Sequence, residues 1–246
     1  MVETSLTPGA ANYDPAGIPE PPWRQQRTAR NRTPLSREAI VQAAIAVLDE
    51  EGAEALSMRR VAEKLGAGAA SLYWHVPSKA ALIDHILDRV GEELVLPPPD
   101  PSRWQGQIKE LARNMRAVLT RHRDLARLSL GRVPVGPNLV RSLEWQLAVM
   151  RGAGVPDRVA GLTADLLTMY VGAFAYEDAQ GFEAPMGEDV THEDMASMMS
   201  NYLRSLPPER FPNILQMVTA VMTPGREERF EFGLDVLVRG LASYDA

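Results

Sequence analysis

The densest group of side chains able to contact another molecule lies within LSMRRVAEKLGAGAASLYWHVPSK, residues 56–79. Tyr73, Trp74 and His75 place three hydrogen-bond donors in succession, directly after the small side chains of residues 69–71. A short helix with small side chains can approach the bases in the major groove of DNA, flanked by donors to the phosphates. Lys79, at the start of the next helix, adds a cation suited to a phosphate. The segment therefore predicts contacts with double-stranded DNA.

The alternative for Tyr73, Trp74 and His75 is that they belong to a hydrophobic core. Leu72 and Val76 are four residues apart on one helix face and are better candidates for that core. Three successive residues of a helix cannot all point inward. We therefore expect at least part of 73–75 to be exposed.

The net charge of −6, taken as a sum, argues against nucleic acid, but the charges are segregated. Phosphate binding needs a basic face rather than a basic chain. The stretch 23–32 contains no acid and carries Arg24, Arg27, Arg30 and Arg32. The stretch 57–79 contains one acid, Glu63, and carries Arg59, Arg60, Lys64 and Lys79. The alternative, a scatter of solvated surface charges, explains most Lys and Arg residues in any protein.

The sequence lacks the residue patterns that metal binding, dinucleotide binding and catalysis require. The chain has no Cys, which excludes disulfides, thiolate metal sites and Cys nucleophiles. Its four His residues are scattered without metal-ligand spacing. The glycines of 66–71 follow a helical pattern rather than the strand that a dinucleotide loop needs. We expect no catalytic residue, no metal site, no cofactor and no enzyme activity.

Targeting signals are also missing from the sequence. The N-terminus shows no basic-then-apolar signal pattern, and no apolar run approaches the roughly 18 residues of a membrane span. We therefore expect a cytoplasmic protein without a membrane partner.

The periodicity of the apolar residues is helical from residue 35 onward, and no segment alternates convincingly at a period of two. Ser36, Ser57 and Ser78 are placed as N-caps of three helices, and Gly52 and Gly66 as the ends of the first two. With a short helix at 69–75, this punctuation predicts a helix-turn-helix unit followed by a longer helix.

Proline marks the predicted boundaries. The Pro-rich segment 1–34 predicts a disordered basic arm, and Pro97–Pro99 a break before a second helical region. The predicted domains are the arm at 1–34, a helix-turn-helix domain at 35–95, and an effector-binding and dimerisation domain at 96–246. A polar loop is expected at 181–190.

A dimer follows from the small size of the reading helix. One short helix offers too few base contacts for physiological specificity, which usually needs a second half-site about one helical turn away. The helices at 157–180 and 226–244 are the longest and most apolar near the C-terminus. We expect them to build a four-helix dimer interface.

Segment 36–95 resembles the N-terminal DNA-binding domain of the TetR family, and SLYWHVPSK at 71–79 is similar to its recognition-helix signature. Segments 104–131, 143–155 and 175–180 resemble the effector domain of the tetracycline repressors. The resemblance covers roughly 35–245. It implies an all-α fold, with a three-helix helix-turn-helix domain joined by a long helix to a ligand-binding and dimerisation domain. The implied function is a homodimeric repressor, released from a palindromic operator by a small effector. A helical ligand-binding protein without DNA binding is the alternative.

The resemblance also implies roles for single residues. Arg59 matches a position that reads a base from the second helix. Base-contacting positions are matched by Ala69, Ala70 and Ser71. Positions that mainly contact the DNA backbone are matched by Tyr73, Trp74, His75 and Lys79. The chain departs from the tetracycline repressors at Ala69, where those carry a long polar side chain. Base reading is therefore expected to rely on Arg59, Ser71 and the N-terminal arm.

The effector site departs further. The tetracycline repressors hold a magnesium–drug chelate with two His residues and a Glu across the dimer interface. Here 86–121 contains no His, Ser129 replaces the second His, and only Glu177 is retained. One carboxylate without imidazole anchors a hard cation poorly. We expect a metal-free, mostly apolar and aromatic effector, with ordinary core packing as the alternative for its candidate contacts: Trp104, Met115, Leu119, Trp145, Leu166, Tyr170 and Phe174.

Overall fold

The computed structural model describes residues 35–133, 135–180, 192–222 and 225–244, and all regular structure within these ranges is helical. The predicted all-α fold is confirmed. The helices are α1 (Arg37–Glu51), α2 (Met58–Leu65), α3 (Ala69–Tyr73), α4 (Lys79–Gly91), α5 (Trp104–Arg121), α6 (Leu125–Ser129), α7 (Pro137–Gly152), α8 (Asp157–Gln180), α9 (His192–Arg204), α10 (Pro212–Met222) and α11 (Arg226–Leu241), with a 3-10 turn at Pro101–Arg103. The predicted arm at 1–34 and the predicted loop at 181–190 lie outside the described residues.

Three serine caps set the starts of α1, α2 and α4. The hydroxyl oxygens of Ser36, Ser57 and Ser78 each accept a hydrogen bond, at 3.1 Å, from the backbone amide three residues further on. Each bond satisfies an amide that has no partner within its own helix. All three predicted caps are confirmed.

The ends of the first helices follow local signals as well. Gly52 and Gly66 close α1 and α2 with φ of 85° and 62°, a region that favours glycine. The reading helix α3 ends at Tyr73, two residues earlier than predicted. Trp74 and His75 form a turn in which the amides of His75 and Val76 both donate to the Leu72 carbonyl at 2.9 Å.

A hydrophobic core fixes α3 against its neighbours. Leu72 and Val76 are fully buried, together with Ile40 and Leu48 of α1 and Leu82 of α4. Burying side chains of this size contributes about 1.5–3 kcal/mol each. The orientation of the reading helix is therefore set by its apolar residues, as the spacing of Leu72 and Val76 predicts.

A second core joins α5, α7, α8 and α11. Its buried members include Trp104, Ile108, Leu111, Trp145, Val149, Met150, Leu167, Val171, Phe230, Leu234 and Val238. Helices α9 and α10 pack against each other. The second helical region is thus organised around α5 and α8.

The proline-rich connector between α4 and α5 is firmly held. Gln107, which is 3% exposed, accepts a hydrogen bond from the Asp100 amide and donates one to the Pro98 carbonyl, both at 2.8 Å. Trp145 of α7 donates its indole N–H to the Pro97 carbonyl. Two buried side chains therefore tie the connector to α5 and α7.

Ionic contacts link the first four helices to the following segment. Arg132 lies 2.6 Å from Asp84 of α4. His122 lies between two carboxylates, with Nδ1 3.0 Å from Asp49 of α1 and Nε2 3.2 Å from Glu93. A displacement in the α5–α7 region can therefore act on both α1 and α4.

One helix among the described residues, Asp157–Ala179, is long and apolar enough, by length and composition, to cross a membrane. The core helix of a soluble protein passes the same test. The sequence showed no uninterrupted apolar run of this length because Asp165 lies within it.

Candidate DNA interface and effector cavity

Successive elements expose the residues predicted to contact DNA. The Arg59 side chain of α2 is 86% exposed, while Tyr73 is 51% and Trp74 91% exposed. The other predicted contacts are exposed (Ala70, Ser71 and Lys79) or partly buried (Ala69 and His75). A tryptophan this exposed leaves a large apolar and hydrogen-bonding surface in water, which is typical of a contact site. Tyr73 and Trp74 therefore do not belong to the core.

The tertiary structure pairs two of the four cations of 57–79 with acids of α1. Arg60 donates three hydrogen bonds of 2.8–3.0 Å to the Glu51 carboxylate, and Lys64 lies 2.7 Å from Glu50. The hydrogen bonds from Arg60 lower the pKa of Glu51, and they raise the pKa of Arg60. The sequence count treated both cations as part of a basic face. Both are paired with acids of α1, so neither brings an unpaired charge to this face.

A cavity of about 150 Å³ lies between the connector, α5 and α7, lined by Val95, Pro97, Gln107, Glu110, Leu111, Asn114 and Trp145. Trp145 and Leu111 also belong to the second core. Sites for drug-sized ligands usually measure about 300–1,000 Å³. The cavity therefore has to enlarge, by movement of its walls, to hold such a ligand.

Most of the predicted effector contacts fall in or against the second core. Trp104 and Trp145 are buried in it, and four others pack against it while partly buried: Met115, Leu119, Tyr170 and Phe174. The rings of Tyr170 and Phe174 lie 4.9 Å apart. Tyr170 also donates its hydroxyl to the Phe230 carbonyl at 2.7 Å. The core beside the cavity is therefore aromatic.

Leu166 is more exposed than the other predicted effector contacts. It is 47% exposed, and Leu162 and Met169 of the same helix are exposed too. Leu167 and Val171 are the α8 residues that are buried in the second core. Because α8 is apolar on both faces, helical spacing could not show which leucines point inward.

The residues at the positions where the tetracycline repressors hold their chelate do not fit a cation. Ser129 donates its hydroxyl to the Ala126 carbonyl at 2.8 Å. The Glu177 carboxylate pairs with Arg229, with a shortest N–O distance of 2.8 Å. No group of three or more His, Asp or Glu residues that could hold a metal ion occurs in the part of the chain that the structure describes. Glu177 is therefore already neutralised by an arginine.

The fold and the exposed reading helix define a helix-turn-helix protein with a second helical region. Residues 40–86 match the family model described as bacterial regulatory proteins, tetR family. Residues 96–244 match the model described as tetracyclin repressor-like, C-terminal domain. The chain belongs to the TetR family.

Named relatives support this membership. An HTH-type transcriptional regulator of Saccharopolyspora erythraea is 37% identical over 56% of this chain, a match covering 59% of that relative, less than two thirds of its length. The HTH-type transcriptional repressor DrrR1 of Streptomyces coeruleorubidus is 30% identical over 88% of this chain and 81% of its own. ActR of Streptomyces coelicolor, in its complex with actinorhodin, has a TM-score of 0.78 and 37% identity, over 86% of this chain and 97% of its own.

Members of the TetR family bind DNA operators and small-molecule effectors and act as dimers. This chain is a ligand-responsive transcriptional repressor. The alternative of a helical binder without a DNA-binding function is set aside, because the matched region 40–86 contains the helix-turn-helix. The relatives are transcriptional regulators, which are generally cytoplasmic and not enzymes.

Proposed function

We propose that a homodimer of this chain binds a palindromic operator through α2, α3 and the start of α4, and that a mostly apolar, aromatic effector releases it. The observation that carries the proposal is the exposure of Tyr73 and Trp74 beside the buried Leu72 and Val76. The apolar pair holds the helix in place while the polar aromatic residues face outward.

The proposed roles in DNA binding follow the resemblance. Arg59 reads a base from α2, with base contacts from Ala69, Ala70 and Ser71, and backbone contacts from Tyr73, Trp74, His75 and Lys79. Lys79 is exposed at the first turn of α4, where free amides and the helix dipole also favour a phosphate. The arm residues Arg24, Arg27, Arg30 and Arg32 would follow the neighbouring minor groove.

The proposed dimer interface is built from α8 and α11 of two copies. Large apolar side chains are exposed on both helices: Leu162, Leu166 and Met169 on α8, and Phe232 and Val236 on α11. A soluble monomer rarely leaves such a surface in water. Burying these residues in a four-helix bundle would remove the exposure, and it would also explain the high hydropathy of α8 without a membrane.

The proposed effector site is the cavity between the connector, α5 and α7, enlarged into the neighbouring aromatic core. Trp145 and Leu111 are shared by the cavity and the core, so a ligand that enters displaces both. Solved complexes of ActR contain (S)-DNPA and actinorhodin, which supports a small-molecule effector for this chain. The effector binds without a metal, with Trp104, Met115, Leu119, Trp145, Tyr170 and Phe174 as its apolar contacts.

The proposed organisation keeps a DNA-binding domain at 35–95 and an effector and dimerisation domain at 96–246. The protein acts in the cytoplasm on double-stranded DNA, without a membrane partner and without catalysis.

The test is a selection of bound duplexes from random DNA, followed by a compound screen for release. We expect a roughly palindromic consensus and a dimer on each duplex. A Trp74→Ala variant should lose affinity for that duplex, while Val133→Ala, at an exposed apolar position outside the proposed DNA surface, serves as a control. Equal affinity for random and selected duplexes at physiological salt would overturn the proposal.

A further inference from the structure

We propose that Glu63 determines sequence specificity by positioning Arg59 for base reading, an inference that rests on the base-reading role of Arg59 in the proposed function. Glu63 lies one helical turn after Arg59 on α2 and is the only acid in 57–79. An acid on a surface that faces phosphates needs a reason, because it repels them.

The Glu63 carboxylate bridges two arginines. Its Oε1 accepts a hydrogen bond from Arg59 Nε at 3.0 Å, and its Oε2 lies 3.5 Å from Arg60 Nη1. Arg60 is itself held by three hydrogen bonds to Glu51 of α1. A chain of alternating charges therefore runs from the end of α1 to the exposed Arg59.

This arrangement leaves the Nη1 and Nη2 donors of the Arg59 guanidinium group available for a base. Guanidinium carries five N–H donors in a rigid fork, and Glu63 uses the one on Nε. Within the described residues, Nη1 and Nη2 of Arg59 donate no hydrogen bond. A guanine offers two acceptors, O6 and N7, to such a pair. Glu63 holds the Nε side of the guanidinium group, and the Nη1 and Nη2 donors of this exposed side chain remain for a base.

The rest of the interface makes this orientation important. Ala69 and Ala70 of the reading helix end at a methyl group, so Arg59 supplies the long polar side chain. An exposed ion pair contributes little to folding stability. Its effect on recognition is separate, because an arginine already held in one geometry loses less conformational freedom when it binds.

Three explanations of Glu63 predict different results for Glu63→Leu, which removes the charge and the hydrogen-bond acceptor together. If Glu63 acts only by its charge, the substitution strengthens binding to all duplexes alike. If it positions Arg59, the substitution also lowers discrimination at the base pair that Arg59 reads. If Glu63 contacts a base itself, for example the cytosine amino group, the loss falls on a different base pair.

The experiment measures the dissociation constants of the full chain for the selected operator and for duplexes changed at each base pair in turn. The variants are Glu63→Leu, which removes both the charge and the acceptor, Arg59→Ala and the double variant. Glu54→Gln is a control that removes an exposed charge elsewhere on the same domain. We expect Glu63→Leu to reduce discrimination about 3–10-fold at the base pair that Arg59→Ala identifies, and the double variant to match Arg59→Ala. Glu54→Gln should leave discrimination unchanged.

The outcomes separate the positioning role of Glu63 from the base-reading role of Arg59. If Arg59→Ala loses discrimination and Glu63→Leu does not, the positioning role is overturned while Arg59 remains the reader. A loss at a different base pair, or additive losses in the double variant, also overturns it. If Arg59→Ala changes nothing, the base-reading role fails, and the inference fails with it. Thermal unfolding by circular dichroism checks that every variant is folded.

Discussion

Asp88 on α4 caps the start of α7: its Oδ1 lies 2.9 Å from the Asn138 amide and 3.1 Å from the Leu139 amide. Helix α7 has no cap of its own, because its N-cap is Gly136. A Cβ on Gly136 would overlap the Asp88 carboxyl group. The contact ties the helix that follows the reading helix to the helix that carries Trp145 at the cavity. A movement of α7 therefore reaches the DNA-binding surface.

Removing this cap should destabilise the protein. We expect Asp88→Ala to lower the free energy of unfolding by about 1 kcal/mol, the usual value of a lost N-cap. Asp88→Asn should lose less, because the amide oxygen still accepts from the same backbone groups. Urea unfolding followed by circular dichroism measures both. An unchanged free energy of unfolding in Asp88→Ala would contradict the role of the cap.

Arg59 and Lys79 should affect DNA binding in different ways. Arg59→Ala is expected to cost about 1–3 kcal/mol of discrimination at one position per half-site, the value of a bidentate contact with guanine. Lys79→Ala should weaken binding to all duplexes alike and flatten the salt dependence by about one unit per subunit. Titrations at several salt concentrations measure both effects. The assignment is wrong if both variants keep the parental preference and salt slope.

The exposed apolar residues of α8 and α11 should be required for the dimer. Leu166→Glu and Phe232→Glu each place a charge where the two copies meet, so we expect monomers in sedimentation equilibrium. Val133→Glu, at another exposed apolar position, is the matched control and should remain dimeric. Dimers of unchanged affinity in both α8 and α11 variants would rule out this interface.

Release of the operator should not depend on a metal ion. Ser129 and the Arg229-paired Glu177 leave no imidazole and no free carboxylate at the positions where the tetracycline repressors hold their chelate. A compound found in the release screen should act equally well with and without a chelator, in a fluorescence polarisation assay on labelled operator. If a chelator abolished release of the operator and magnesium restored it, the prediction of metal-free release would be refuted.

The arm should strengthen DNA binding. Ten extended residues reach about 30 Å, enough for the arginines of 23–32 to follow a minor groove and enter it where it is narrow. Deleting residues 1–32 should leave dimerisation and effector binding intact, yet weaken DNA binding and make its salt dependence shallower. The loss should be larger on operators with A·T-rich flanks. The control for chain length is a full-length variant in which Arg24, Arg27, Arg30 and Arg32 are changed to Gln. Unchanged affinity for DNA in both proteins would show that the arm is a passive tail.

Local features of this protein are predictable from the sequence because each depends on neighbouring residues. Ser36, Ser57 and Ser78 bond to amides three residues away, so their identity and position are enough to start a helix. The four-residue spacing of Leu72 and Val76 likewise assigns one face of the reading segment to the core. The exposure of Tyr73 and Trp74 follows from that assignment.

Contacts between distant elements were decided only by the tertiary structure. Arg60 and Lys64 count as free cations along the chain, yet packing of α2 on α1 places them against Glu51 and Glu50. Asp88 meets Asn138 across fifty residues, which no local pattern encodes. On α8 the outward pair Leu162 and Leu166 and the inward pair Leu167 and Val171 have the same four-residue spacing. Only the packing against α5 and α11 separates the two pairs. The physical reason is that an ion pair, a shared cap or a buried face depends on which surfaces meet, and that is settled when the helices pack.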